Sequence, residues 1–165
     1  MEEHVVVIDG DREARDRLVD LLSSELERTC LEAWNAEEGL RLLRHRAPLL
    51  AFIGDALPDR DGMEFLEQVR EQHPLVSTIY VSEDESATTI LRAFRLGVRD
   101  FLSKPIDRGE VTAAVRRIMA SEVPSNRLAD LTRDLRAANE ELRLRLRELN
   151  TVYTIGRAVT SLLDL

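Results

Sequence analysis

The acids and the one lysine of this chain are the residues whose chemistry asks for an explanation. Asp9 and Asp11 flank Gly10 just after the apolar run Val5-Val6-Val7-Ile8. Asp55 follows a second apolar run, inside the stretch Ile53-Gly54-Asp55-Ala56-Leu57-Pro58-Asp59-Arg60-Asp61-Gly62. A carboxylate in such a loop is a candidate phosphate acceptor. Whether Asp55 can do such chemistry depends on the elements that hold it. Lys104 is the only lysine among 23 lysines and arginines, which suggests a site that needs a compact ammonium and not a guanidinium fork. His4, His45 and His73 are dispersed, so a metal cluster built on histidine is not expected. Cys30 is the single cysteine; it permits no internal disulfide and reads as a small buried core residue.

These side chains need elements to hold them. The run ending at Asp9 suits a strand buried on both faces. Residues 11–26 follow with Ala14, Leu18, Leu21, Leu22 and Leu26 at amphipathic-helix spacing. Residues 30–34 read as a second strand, and Asn35-Ala36-Glu37-Glu38 as a capping box opening a helix that carries Leu40 and Leu43 inward. Residues 49–53 form a third strand, and residues 62–73 a helix closed by Pro74. Strands over 76–82 and 100–103 enclose a helix over 86–96 stopped by Gly97. Val111, Val115, Ile118 and Met119 mark one face of a fifth helix. Strand and helix thus alternate five times, which predicts a parallel sheet with helices on both faces. Ligands of such sheets sit beyond the carboxyl ends of the strands, here Asp9, Gly54, Ser82 and the residue after the fifth strand, Lys104.

Composition bounds the rest. The net charge is −8, which argues against a nucleic-acid partner. From Ser121 onward seven acids balance seven arginines, so the whole excess lies in residues 1–120. No apolar run approaches the ~20 residues of a membrane helix, and the acidic start Met1-Glu2-Glu3-His4 lacks the basic region of a signal peptide. A cytoplasmic location is expected. After Pro124 the pattern changes: Leu128, Leu135, Leu142 and Leu149 recur every seven residues, with Leu131, Ala138, Arg145 and Val152 between them. This heptad seam, interrupted at Arg145, predicts a parallel coiled-coil homodimer through residues 126–163.

Residues 4–120 resemble the receiver domain of two-component response regulators. The resemblance is carried by "HVVVIDGD", "LLAFIGDALPDRDG", "IYVSEDES" and "GVRDFLSKPI". It implies a doubly wound, flavodoxin-like α/β fold with a five-stranded parallel sheet of order 2-1-3-4-5. It also implies Mg²⁺ held between acids at the ends of strands one and three, and phosphoryl transfer from a kinase phosphohistidine to an aspartate ending strand three. A loose, charge-rich transition state needs such a metal and a cation. In that scheme Lys104 pairs with the phosphoryl oxygens, Ser82 is the hydroxyl that moves to them, Phe101 is the aromatic switch, and Pro105 shapes the site. Asp9 and Asp11 are the remaining metal-side acids.

Two departures matter. Gly10 falls where a direct metal ligand belongs, and the acceptor position, four residues before Pro58, is Gly54. Asp55 comes one place later, and strand alternation should turn it to the opposite face. The expectation is a pseudo-receiver: a phosphorylation-independent interaction module, not an enzyme, with no cofactor. It would receive a signalling partner on the face of helix four, strand five and helix five. Mg²⁺ enters only under the alternative, a working phosphoacceptor that uses Asp55. On the pseudo-receiver reading, Gly10→Asp with Gly54→Asp should restore phosphorylation. The last stretch, "ELNTVYTIGRAVTSLLDL", resembles the helix leading into a GAF sensory domain. The expected domains are therefore a receiver over 1–121 and a coiled-coil signalling helix over 122–165, cut before a GAF domain.

Overall fold

The computed structural model describes the backbone of residues 4–163 and the side chains within that span except those of 122–128. The acidic residues 1–3, residues 164 and 165 of the GAF-like stretch, and the side chains of Pro124 and Leu128 thus lie outside the described residues. Five strands alternate with five helices: β1 (His4–Ile8), α1 (Arg12–Glu25), β2 (Thr29–Ala33), α2 (Ala36–Arg46), β3 (Leu50–Gly54), α3 (Gly62–Gln72), β4 (Ser77–Ser82), α4 (Ala87–Arg95), β5 (Asp100–Ser103) and α5 (Arg108–Leu163). The sheet is parallel throughout, in the order β2-β1-β3-β4-β5. This is the fold and strand order that the resemblance implied.

Alternation along the strands builds two cores. Val5 and Val7, Leu50 and Phe52, Ile79 and Val81 face one side, where Leu18 and Leu22 of α1 and Val111, Val115 and Ile118 of α5 cover them. Val6 and Ile8, Ala51 and Ile53, and Tyr80 face the other side, under Leu40 and Leu43 of α2 and Phe65, Leu66 and Val69 of α3. Both faces being covered explains why β1 and β3 carry apolar residues on both faces, and why even Ser77, Thr78 and Ser82 of β4 are buried.

Local signals set the element ends. Asp11 caps α1 through its carboxylate, which accepts from Glu13 N and Ala14 N. Asn35 caps α2, accepting from Glu38 N at 2.8 Å. Ser86 proves to be the cap of α4 and not its first residue. Two readings need correction. Trp34 lies one residue past β2 and is 56% exposed. Cys30 is only half-buried, with its Sγ 3.7 Å from the Arg28 carbonyl, because the edge strand β2 is covered less completely than the central ones.

The chain divides into two compact units, Met1–Met119 and Ala120–Leu165, and α5 contributes to both. Within the second unit Leu131, Leu135, Leu142, Leu149 and Val152 are all exposed. Arg145, at the seam's polar position, is held by Glu141 one turn earlier at 2.7 Å. Among the described residues no helix is long and apolar enough to cross a membrane.

Candidate functional site

Strand register brings the chemistry together. Ile8 pairs with Ile53, Gly54 with Val81, and Ser82 with Ser103, so the residues at the carboxyl ends of β1, β3, β4 and β5 become neighbours. Asp9, just past β1, is almost fully buried. Its Oδ1 accepts from Asp11 N at 2.9 Å, and its own N–H donates to the Ala33 carbonyl at 3.0 Å. Lys104 follows β5, tied in by its N–H to the Ser82 carbonyl at 3.0 Å.

The Lys104 side chain, 5% exposed, ends among three carboxylates. Its Nζ lies 2.9 Å from Asp55 Oδ1, 3.0 Å from Asp9 Oδ2 and 3.5 Å from Asp11 Oδ2. The Asp9 contact is an ion pair without hydrogen-bond alignment. Asp55 carries the rest of the network. Its Oδ2 accepts from Ser82 Oγ at 2.8 Å and from the Glu83 N–H at 3.1 Å.

The expected orientation of Asp55 is thereby corrected. Asp55 stands beyond the last residue of β3, where the two-residue alternation of a strand no longer governs the side chain. Its carboxylate therefore swings to Lys104 and Ser82 and not to the opposite face.

The electrostatics follow from burial and partners. Burial pushes the Asp9 carboxyl above its ordinary range, and the hydrogen bond from Asp11 N and the nearby Lys104 ammonium recover only part of that. Burial also acts upward on Asp55, but the bonds from Lys104, Ser82 and Glu83 outweigh it and hold the carboxyl low. Lys104 would be pushed down by burial; its hydrogen bond to Asp55 and its ion pair with Asp9 raise it instead. The ammonium and the Asp55 carboxylate are thus both held in their charged forms.

A chain in which acids, a hydroxyl and an ammonium meet beyond the ends of a 2-1-3-4-5 parallel sheet can be set beside known proteins. Residues 5–116 match the model of the response regulator receiver domain. The chain belongs to that family. The receiver is similar to the response regulator protein PilR of Pseudomonas aeruginosa, at 26% identity over 160 residues, 93% of this chain and 36% of PilR. It is also similar to an uncharacterized 14.6 kDa protein of Leptolyngbya boryana, at 33% identity over 119 residues, 68% of this chain and 87% of that one. Among solved structures, the receiver domain of NtrX from Brucella abortus superposes with a TM-score of 0.66 at 27% identity, covering 70% of this chain and 98% of that one. The chain spans little more than a third of PilR.

The receiver's two unusual glycines are explained by what surrounds them. A Cβ on Gly54 would stand 2.1 Å from Asp9 Cγ, so the Asp9 carboxylate fills the space into which a side chain at that position would grow. A Cβ on Gly10 would stand 2.2 Å from the carbonyl oxygen of Ala56, which accepts the Gly10 N–H at 2.8 Å. Both glycines are close-approach positions.

The family implies Mg²⁺ at this end of the sheet, and the donors present decide whether it fits. The point shared by Asp9, Asp11 and Asp55 carries Lys104 Nζ. Asp11 spends Oδ1 on capping α1, and Gly10 brings no oxygen from its side chain. Among the described residues no three acidic, histidine or cysteine groups are arranged to hold a metal. The residues present do not fit the ion.

The remaining residues fall into place around the receiver's site. Phe101 in β5 is half-buried, its ring centroid 6.0 Å from that of Tyr80. The Lys104–Pro105 peptide bond is cis. Sequence reasoning missed three supports. The Glu83 amide offered no side-chain signal at all. Arg15 Nη1 donates to the Asp9 carbonyl at 2.7 Å, which fixes the end of β1. Asp59 reaches from the β3–α3 loop to α2, where its oxygens accept from Ala36 N at 2.9 Å and Glu37 N at 3.1 Å; an acid 23 positions from its partner is invisible to local pattern.

Proposed function

We propose that this receiver is a phosphorylation-independent signalling module of a two-component system. It works in the cytoplasm and not as an enzyme, and it passes partner binding into a dimeric helix. The observation that carries this reading is the Gly54 position: the acceptor's place holds no side chain, and the buried Asp9 carboxylate occupies the space one would need. The partner face is α4–β5–α5, where Leu91 and Phe94 of α4 stand exposed. The dimer runs through residues 126–163, and a GAF domain follows in the longer protein. The test is intact-mass spectrometry after acetyl phosphate and Mg²⁺. No phosphoryl adduct is expected, and a stoichiometric adduct on Asp55, located by borohydride trapping and peptide mapping, would overturn the reading.

A second reading has its own support. Asp55 is ionised, its side chain is 27% exposed, and it touches Ser82 and Lys104, which makes it the phosphoacceptor of the alternative. Against it, both carboxylate oxygens are already bonded to the groups that would have to receive the phosphoryl oxygens.

A further inference from the structure

We infer that the Asp55 carboxylate is the resident occupant of an oxyanion pocket formed by Ser82 Oγ, the Glu83 N–H and Lys104 Nζ, a pocket the chain fills for itself. The inference rests on the phosphorylation-independent reading and goes beyond it, by naming what holds the strand ends together in place of a transferred group.

Three donors converge from two strand ends. Ser82 and Glu83 close β4, and Lys104 follows β5; their distances to the Asp55 oxygens are 2.8, 3.1 and 2.9 Å. The Ser82 hydroxyl already accepts from the Asp84 N–H at 3.0 Å, so its one hydrogen is directed at Asp55. Hydroxyl, amide and ammonium thus all present hydrogens to one point, which is the signature of an anion site and not of a cation site. Ser82 and the Lys104 side chain are almost fully buried, whereas the Asp55 side chain is 27% exposed. The carboxylate therefore sits at the mouth of the pocket with its donors behind it.

The shift of the acid from position 54 to 55 gains its meaning here. An acid on Gly54 would point into Asp9. An acid one residue later, off the strand, reaches the donors directly. Without it, the buried Ser82 hydroxyl and part of the buried Lys104 ammonium would lose their partner, and such groups are costly to leave unmade. The vacated pocket should then take a small oxyanion from solvent, carboxylate or phosphate.

The experiment follows the Glu83 backbone amide of the full chain by ¹H–¹⁵N NMR, with no phosphoryl donor present. In the unsubstituted protein this amide should stay in place when inorganic phosphate or acetate is added against matched chloride. In Asp55→Gly it should move away from its native position and return saturably with either anion. Asp55→Gly/Lys104→Met should lose that return. If Asp55→Gly does not fold, phosphate should restore its folding by binding the native state alone. The inference is overturned if Asp55→Gly folds and its Glu83 amide ignores both anions, or if chloride acts equally. An unsubstituted chain that titrates with the same midpoint also overturns it, as does an Asp55→Gly variant that phosphate cannot refold. A phosphorylated Asp55 in the mass assay would sink the functional reading, while pocket occupancy in the unmodified chain is decided by this titration alone.

Discussion

Lys104 is the residue on which the site's charge balance depends, since one ammonium faces three carboxylates and two of these contacts lie at 3.0 Å or less. Removing one partner of a buried ion pair typically costs about 3–5 kcal/mol, because the other charge is left uncompensated. Lys104→Met should destabilise the receiver by that order in urea unfolding at neutral pH. The pH dependence has a definite sign. In the native protein Asp55 is held low, so its contribution is present above the ordinary carboxylate value of 3.8 and is lost as pH falls through the lowered one. Asp9, raised by burial, opposes it. Lys104 is raised, so its contribution is present below 10.5 and fades as pH climbs through the higher value. In Lys104→Met both carboxylates lose their cation and bind protons more tightly when folded. The variant should therefore regain stability as pH falls towards the carboxylate range, narrowing its gap to the unsubstituted chain. A gap that widens on acidification would refute the charge balance described.

Gly54 gives a second prediction at the same scale. Gly54→Ala should cost about 1–3 kcal/mol, the usual cost of overpacking, because Asp9 has to leave its position. The expected restoration by Gly10→Asp with Gly54→Asp is revised for the same reason. Gly10 abuts the Ala56 backbone carbonyl and Gly54 abuts the Asp9 carboxylate. The double variant should lose stability and remain unphosphorylated, as read by intact mass after acetyl phosphate.

At the scale of elements, the β3–α3 loop and α2 are joined by one carboxylate. Asp59 stays at a low pKa, its two amide bonds outweighing the upward effect of burial, and it satisfies two of the amides that the start of a helix leaves open. Asp59→Ala should cost about 1 kcal/mol, comparable to the loss of a cap. Faster hydrogen exchange should appear at Ala36 and Glu37 while α1 is unchanged. In the second unit, Arg145 is exposed and clipped to Glu141, which turns the charge away from the seam. Arg145→Leu should raise the melting temperature of the tail, and a lowered one would show the heptad register to be wrong.

For the molecule as a whole, the apolar residues of the tail decide the prediction. Leu135, Leu142 and Leu149 are each more than half exposed in the single chain, and burying a leucine contributes about 1.5–3 kcal/mol. A second copy in parallel register would cover all of them at once. The full chain should be a dimer in light scattering, and a chain ending at residue 120 a monomer. Equal oligomeric states would exclude the tail as the dimerisation element.

The βα alternation, the buried strands, the Asn35 cap and the leucine repeat were legible in the sequence because each is a local pattern, written within a few turns or pleats. The two missing acids were legible too, as glycines counted from Asp9 and from Pro58. What local pattern did not contain was the direction of Asp55, which depends on where β3 ends relative to β4 and β5. The alternation rule holds inside a strand and lapses one residue beyond it. Nor did it show that Asp9 fills the space beside Gly54, that the Ala56 carbonyl closes on Gly10, or that a main-chain amide at Glu83 completes a ring of donors. Those are contacts between segments 27 to 49 residues apart, and only the packing of the parallel sheet brings them within bonding distance.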